Sequence, residues 1–167
     1  MRRFGIPVGL GCFLLALAGH AGGREGSPDR ARAGREPERA GFADRLKGEW
    51  DLQTRVVMGK RMDDQPGLRL VVSDRYLSII RAREWRPAEA VSAEYYRVDP
   101  TTDPPRLDTT GRADWTEVHE GICRLEGDIL TVCFAEPGKP RPTAFVTGEG
   151  AGRGQVLMTF KRRGKGR

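Results

Sequence analysis

The stretch GICRLEGDILTVCF (residues 121–134) has the clearest structural pattern in the chain. Polar and apolar side chains alternate on both sides of the short segment Leu125–Asp128, which contains a glycine at position 127. A period of two predicts half-buried strands, and a tight glycine-containing segment between two such runs predicts a hairpin. We therefore expect an antiparallel β-hairpin with Glu126 and Gly127 at its tip.

The register of this hairpin decides how its two cysteines relate. With Glu126 and Gly127 at the tip, Cys123 faces Leu130, and Cys133 lies further along on the opposite face of the sheet. A disulfide requires Cα atoms within about 7 Å, which this register does not allow. We expect two free thiols, with Cys123 pointing inward as a small apolar residue.

The same period of two recurs outward from the hairpin along most of the chain after residue 48. The first run places Trp50, Leu52, Thr54 and Val56 on one face and Asp51, Gln53 and Arg55 on the other. Further runs lie at 68–72, 76–80, 94–98, 106–109, 117–125, 129–135 and 155–161. About eight short strands joined by hairpin-length turns predict an all-β fold, either an antiparallel barrel or a sandwich. A closed barrel is favoured because it leaves no exposed sheet edge.

The N-terminus has the pattern of a secretory signal peptide. Arg2 and Arg3 precede an uncharged run over residues 5–18, and small residues suited to signal-peptidase cleavage occur at Ala16 and Ala18 or, as a later option, at Gly19 and Ala21. The uncharged run is shorter than the roughly 20 residues that span a bilayer, so cleavage is favoured over anchoring. We expect a signal peptide over residues 1–21 and no transmembrane segment after it is removed.

The remaining chain divides into three parts by composition. Residues 22–43 are rich in Gly, Pro, Ala and mixed charge, which predicts a disordered spacer because so little apolar surface is available for burial. The β-barrel domain is expected over residues 44–162, and residues 163–167 form a basic tail. The predicted location is outside the cytoplasm: periplasmic, cell-envelope or extracellular.

The net charge of +6 suggests a polyanionic partner until its distribution is considered. Residues 44–160 contain 17 basic and 19 acidic side chains, whereas residues 161–167 contain five basic and no acidic ones. A cluster of Arg81, Arg83 and Arg86 around Trp85 is of the type that binds single-stranded nucleic acid. The favoured interpretation is an exposed loop whose arginine stems shield the indole. We predict no nucleic-acid partner.

Four segments resemble a known family, the small exported lipocalin-like domain of unknown function that is expanded in Planctomycetes. They are Leu46–Trp50, Tyr96–Pro100, Gly121–Phe134 and Pro137–Phe145, and the resemblance extends from about Leu46 to Arg162. The resemblance implies a lipocalin-like (calycin-type) barrel in which Trp50 closes the floor and Lys161 or Arg162 lies over its indole. Cys123 departs from the family, which usually has an aromatic residue there. No activity follows from the resemblance, because the family has none established.

The residues offer little for catalysis. His119 is the lone histidine after the leader, and no serine lies in a nucleophile-elbow sequence. Glu117, His119 and Cys123 share one face of a predicted strand, but they span about 20 Å, so all three cannot bind one ion. Two of them with a residue from another strand would form a metal site; otherwise Glu117 and His119 are solvated at the barrel mouth. We predict no metal site, no cofactor and no enzymatic activity.

Arg141 lies between Pro140 and Pro142, and two roles are open to it. It could bind an anion at the barrel rim, or the Pro-Arg-Pro sequence could hold an extended backbone that frames the next strand. The structural role is favoured because prolines restrict the backbone directly.

The leading functional hypothesis is an exported, non-enzymatic binding or accessory domain whose barrel takes a small apolar or amphipathic ligand. The candidate ligand-binding residues are Trp50, Tyr96, Glu117, His119, Cys123 and Arg141. One alternative is a structural or interaction module of the cell envelope with a filled barrel, since about 120 residues in eight strands can fill their own interior. A metal-assisted enzyme is a further alternative.

Overall fold

The computed structural model describes residues 41–62, 67–83, 86–150 and 153–164. The predicted signal peptide, the spacer up to residue 40, Trp85 and residues 165–167 lie outside the described residues. Within the described part, no helix is long and apolar enough to span a bilayer.

One short helix and nine strands make up the regular structure of the described residues. The helix is α1 (Phe42–Leu46). The strands are β1 (Gly48–Val57), β2 (Lys60–Arg61), β3 (Leu68–Val72), β4 (Tyr76–Arg83), β5 (Arg86–Asp99), β6 (Arg106–Thr110), β7 (Gly121–Glu126), β8 (Ile129–Ala135) and β9 (Gln155–Arg162).

The strands form a closed antiparallel barrel. From β3 to β9 each strand pairs with the next, and β1 completes the ring by pairing with both β3 and β9. The strand β2 is a two-residue addition that extends the end of β1 as a hairpin. The expectation of an all-β antiparallel barrel of about eight strands is confirmed.

Trp50 and α1 close one end of this barrel. The indole is fully buried, and its Nε1 donates a hydrogen bond of 2.9 Å to the carbonyl of Leu46 in α1. The guanidinium of Arg162 lies 3.9 Å from the centroid of the Trp50 ring. Of the two candidates for this cation–π contact, Lys161 and Arg162, the structure therefore selects Arg162.

A β-bulge in β1 corrects the predicted faces of this strand. Leu52 pairs with Phe160, but Thr54 pairs with Thr159, so Gln53 is an extra residue opposite the partner strand. An extra residue reverses the alternation that follows it, since the side-chain period of a strand is two. The placement of Thr54 and Val56 on the face of Trp50 is therefore wrong, and Arg55 points to the interior instead.

The hairpin predicted over residues 121–134 is present, but its register differs from the expected one. Glu126 pairs with Ile129, so Gly127 and Asp128 form the tip, and Cys123 faces Val132 rather than Leu130. Gly127 has a φ of +56°, which suits the first loop position of a two-residue hairpin where a side chain would be strained. This shift in register still leaves Cys123 and Cys133 on opposite faces of the hairpin. The thiol prediction is therefore confirmed: both cysteines are free, and Cys123 lies in the core.

The core occupies the half of the barrel next to α1. Its fully buried members come from nearly every strand and surround the Trp50 indole. They include Leu70 of β3, Leu107 of β6, Cys123 of β7, Leu130 and Val132 of β8, and Phe160 of β9. This packing closes one end of the barrel, whereas the interior of the other half contains a cavity.

Candidate functional site

A cavity of about 300 Å³ lies inside the barrel on the side away from α1. Its walls come from seven of the barrel strands and the segment before β7. They are Leu52, Arg55, Leu68, Leu77, Ile79, Val91, Ser92, Glu94, Thr109, His119, Phe134, Val156, Met158 and Phe160. A predominantly apolar pocket of this size with a few polar groups is typical of a small-molecule site.

Five of the lining residues are polar: Arg55, Ser92, Glu94, Thr109 and His119. Arg55 is there because of the β1 bulge, which aligns it with Met158 across the β1–β9 ladder. Glu94 is there by simple alternation, two residues before Tyr96 in β5 and opposite Leu77 in β4. Both charged side chains are half-buried.

His119 is held in place before β7 by its backbone and its ring. Its backbone exchanges two hydrogen bonds with Thr109, of 2.8 and 3.1 Å. Its ring Nδ1 lies 3.2 Å from the carbonyl oxygen of Ala135. Because a carbonyl only accepts, this contact places the proton on Nδ1 and leaves Nε2 as an acceptor in the neutral ring.

Phe134 contributes an aromatic wall because the residue opposite it is glycine. Gly121 pairs directly with Phe134, and a Cβ at Gly121 would lie 2.5 Å from the Phe134 Cδ1 and 2.7 Å from the carbonyl oxygen of Leu107. The ring therefore lies across the Gly121 backbone, in space that a side chain would otherwise occupy.

Three of the residues proposed from sequence lie outside the cavity, in or against the packed core. Trp50 and Cys123 are fully buried core residues, and Tyr96 packs against the same cluster. The Tyr96 hydroxyl donates a hydrogen bond of 2.8 Å to the carbonyl of Ser73, and burial raises the pKa of its phenol. These contacts give the three residues structural roles at the closed end.

Neither cysteine has the environment of a nucleophile. Burial raises the pKa of the Cys123 thiol to about 12. Burial likewise raises the pKa of Cys133 to about 11, although a backbone hydrogen bond with Val146 acts in the opposite direction. Both thiols are therefore protonated at neutral pH, and a protonated thiol is a poor nucleophile and metal ligand.

Glu117 and His119 do not come together as a metal site. Glu117 is exposed and precedes β7, and its carbonyl accepts a hydrogen bond of 2.7 Å from Thr110. Across the described ranges, no group of three or more His, Cys, Asp or Glu side chains is placed to hold a metal ion.

Arg141 lies in the long connection between β8 and β9 and braces it against β6 and β7. Its guanidinium binds both carboxylate oxygens of Asp108 in a fork, lies 3.5 Å from a carboxylate oxygen of Glu120, and donates a hydrogen bond of 2.6 Å to the carbonyl of Gly121. Asp108 also raises the pKa of Arg141. Its donors are thus engaged by the protein itself, outside the cavity.

Of the six residues proposed from sequence, His119 alone lines the cavity. Sequence reasoning missed Arg55, Glu94 and Phe134. Glu94 and Phe134 were accessible from alternation, since they share faces with Tyr96 and Val132 in predicted strands. Arg55 was not, because no residue near Gln53 signals a bulge.

Comparisons of the chain with protein-family models, with curated proteins and with solved structures find no match.

Proposed function

We propose that this protein is an exported, non-enzymatic binding protein that holds a small apolar or amphipathic molecule inside a lipocalin-like barrel. The observation that carries the proposal is the cavity of about 300 Å³, whose walls are mainly aliphatic and aromatic. A barrel that served only as a structural module would gain stability by filling this space, because an apolar void forfeits packing contacts. The signal-peptide pattern of residues 1–21 supports export.

The chemistry of the cavity supports binding rather than catalysis. The lining includes no cysteine, and its histidine has one ring nitrogen engaged by the Ala135 carbonyl. Nucleophilic catalysis needs an activated nucleophile within hydrogen-bond reach of a base. Ser92 and Thr109 are the hydroxyl residues of the lining, and among the described residues the His119 ring is hydrogen-bonded to the Ala135 carbonyl rather than to either hydroxyl.

Fluorescence titration with N-phenylnaphthylamine, a neutral apolar dye, tests the proposal. The dye should bind with one-to-one stoichiometry and brighten as it leaves water. Ile79→Trp should weaken binding by about tenfold or more, because Ile79 lines the cavity and the larger ring would occupy it.

Ile80→Trp is the matched control. Ile80 is the residue after Ile79 in β4, and by alternation its side chain lies on the outer face of the barrel. This variant should bind the dye as the unmodified protein does. Met158→Trp fills the same cavity from β9 and replaces Ile79→Trp if that variant loses its circular-dichroism signature. Dye binding that is absent, or that is equal in the filled and control variants, would refute the proposal.

A further inference from the structure

The cavity contains two opposite charges that do not neutralise each other. Arg55 and Glu94 both line it, and among the described residues the side chain of neither has an ion pair or a hydrogen bond. They belong to β1 and β5, which are separated around the barrel by β3 and β4. At about 4.8 Å per strand, their backbones are about 14 Å apart around the wall.

A charge that faces a mainly apolar cavity is costly unless something pairs with it. A neutral apolar ligand would displace water from both side chains and supply no partner. An anion would pair with Arg55 but place a like charge near Glu94. A cation would pair with Glu94 but place a like charge near Arg55. A molecule that carries one charge of each sign provides a partner for both.

We propose that the ligand of this cavity is a small apolar zwitterion, whose carboxylate pairs with Arg55 and whose ammonium pairs with Glu94. A guanidinium presents a fork of donors that matches a carboxylate, and a carboxylate accepts hydrogen bonds from an ammonium. The walls formed by Ile79, Phe134 and Met158 contact the apolar part. The proposal rests on the binding function proposed above and specifies its ligand class.

Competition against bound N-phenylnaphthylamine separates the three charge types. One series consists of three compounds that share a phenyl group on a short chain. L-phenylalanine carries both charges, phenylpropionate carries only the negative charge, and phenethylamine carries only the positive charge. A second series comprises aminooctanoate, octanoate and octylamine, in which the charges lie at opposite ends of a chain. In at least one series the zwitterion should displace the dye at a concentration about tenfold lower than either singly charged analogue.

Two variants assign the charges to their partners. Arg55→Met should abolish the advantage of the zwitterion over the amine, and Glu94→Gln should abolish its advantage over the carboxylate. Both variants should still bind the neutral dye one-to-one and no more weakly than the unmodified protein, because the dye leaves either charge unpaired; this distinguishes a lost charge contact from a damaged barrel. Arg75→Met removes an exposed arginine in the turn before β4 and should leave every ranking unchanged.

The two proposals fail in different ways. If the dye binds but the zwitterion has no advantage in either series, or if either variant leaves the ranking unchanged, the zwitterion proposal is overturned and the binding function stands. If the dye itself does not bind, both proposals are overturned, because the zwitterion proposal rests on the binding function.

Discussion

At the scale of single residues, Arg162 connects the last strand to the closed end of the barrel. Its guanidinium lies over Trp50, donates a hydrogen bond of 3.0 Å to the carbonyl of Lys47 and donates another to the carbonyl of Arg45. Arg162→Met should therefore lower the free energy of unfolding by about 2 kcal/mol, since it removes a cation–π contact and leaves two carbonyls without a donor. Urea unfolding measures this loss.

Arg162→Lys is the informative comparison. Lysine keeps the charge but lacks the planar fork that reaches both carbonyls while lying on the indole. It should recover only part of the stability that methionine loses. Full recovery would contradict the geometric role of the guanidinium.

The buried thiol of Cys123 predicts an alkaline loss of stability. Its pKa is about 12 in the folded protein, against an ordinary value of 9.0, so the stability it contributes is complete below about pH 9. Above that pH the thiol ionises in the unfolded chain but not in the folded one. The free energy of unfolding should therefore fall by up to about 1.4 kcal/mol per pH unit for this thiol.

Cys123→Ala isolates this effect. The variant removes the thiol, so its free energy of unfolding should decline less steeply between about pH 9 and about pH 12. Other titrating groups are common to both proteins and cancel in the comparison. Parallel curves would show that the thiol does not titrate as its burial requires.

At the scale of elements, the connection between β8 and β9 is held to the barrel by a charged brace. Arg141 and Asp108 are about three-quarters buried or more, with 20% and 26% of their side chains exposed. Breaking one member leaves the other partly buried and unpaired, which is costly. A double-mutant cycle with Arg141→Met and Asp108→Asn should give a coupling energy of about 1–2 kcal/mol.

The pair Arg112 and Asp114 provides a matched comparison. Their nitrogen and oxygen lie 3.4 Å apart, but both side chains are 54% exposed. The same cycle there should give less than about 0.5 kcal/mol, because water screens exposed pairs. Equal coupling energies at the two sites would refute the assignment of Arg141 to a structural brace.

Strands and hairpins differ in how far their local sequence signals predict the site. The hairpin at residues 121–134 was predictable, because its alternation and its glycine are local signals. Its register was missed by one position at the tip, since Gly127 occupies the first loop position. The inward direction of Arg55 was not predictable, because the bulge at Gln53 depends on pairing with β9, about a hundred residues away.

At the scale of the whole molecule, alternation identified the barrel but not its cavity. Strand count and turn spacing predict closure, whereas a cavity depends on how far the side chains of opposite strands reach inward. Here the large side chains of Trp50 and Leu107 are packed in the core at one end, and the lining of the other end includes smaller and polar residues such as Ser92 and Thr109. That asymmetry appears only when the strands are assembled.

We expect the interior of the barrel to bind a small molecule, and the methionines can report on this binding directly. Met158 lines the cavity, whereas Met58 and Met62 are exposed at 64% and 38% near the β1–β2 hairpin. In a protein labelled with ¹³C at the methionine methyl groups, titration with N-phenylnaphthylamine should move the Met158 resonance in a saturable one-to-one manner and leave those of Met58 and Met62 nearly unchanged. A Met158 resonance that stays fixed while the exposed methionines move would place the dye on the surface and contradict binding inside the barrel.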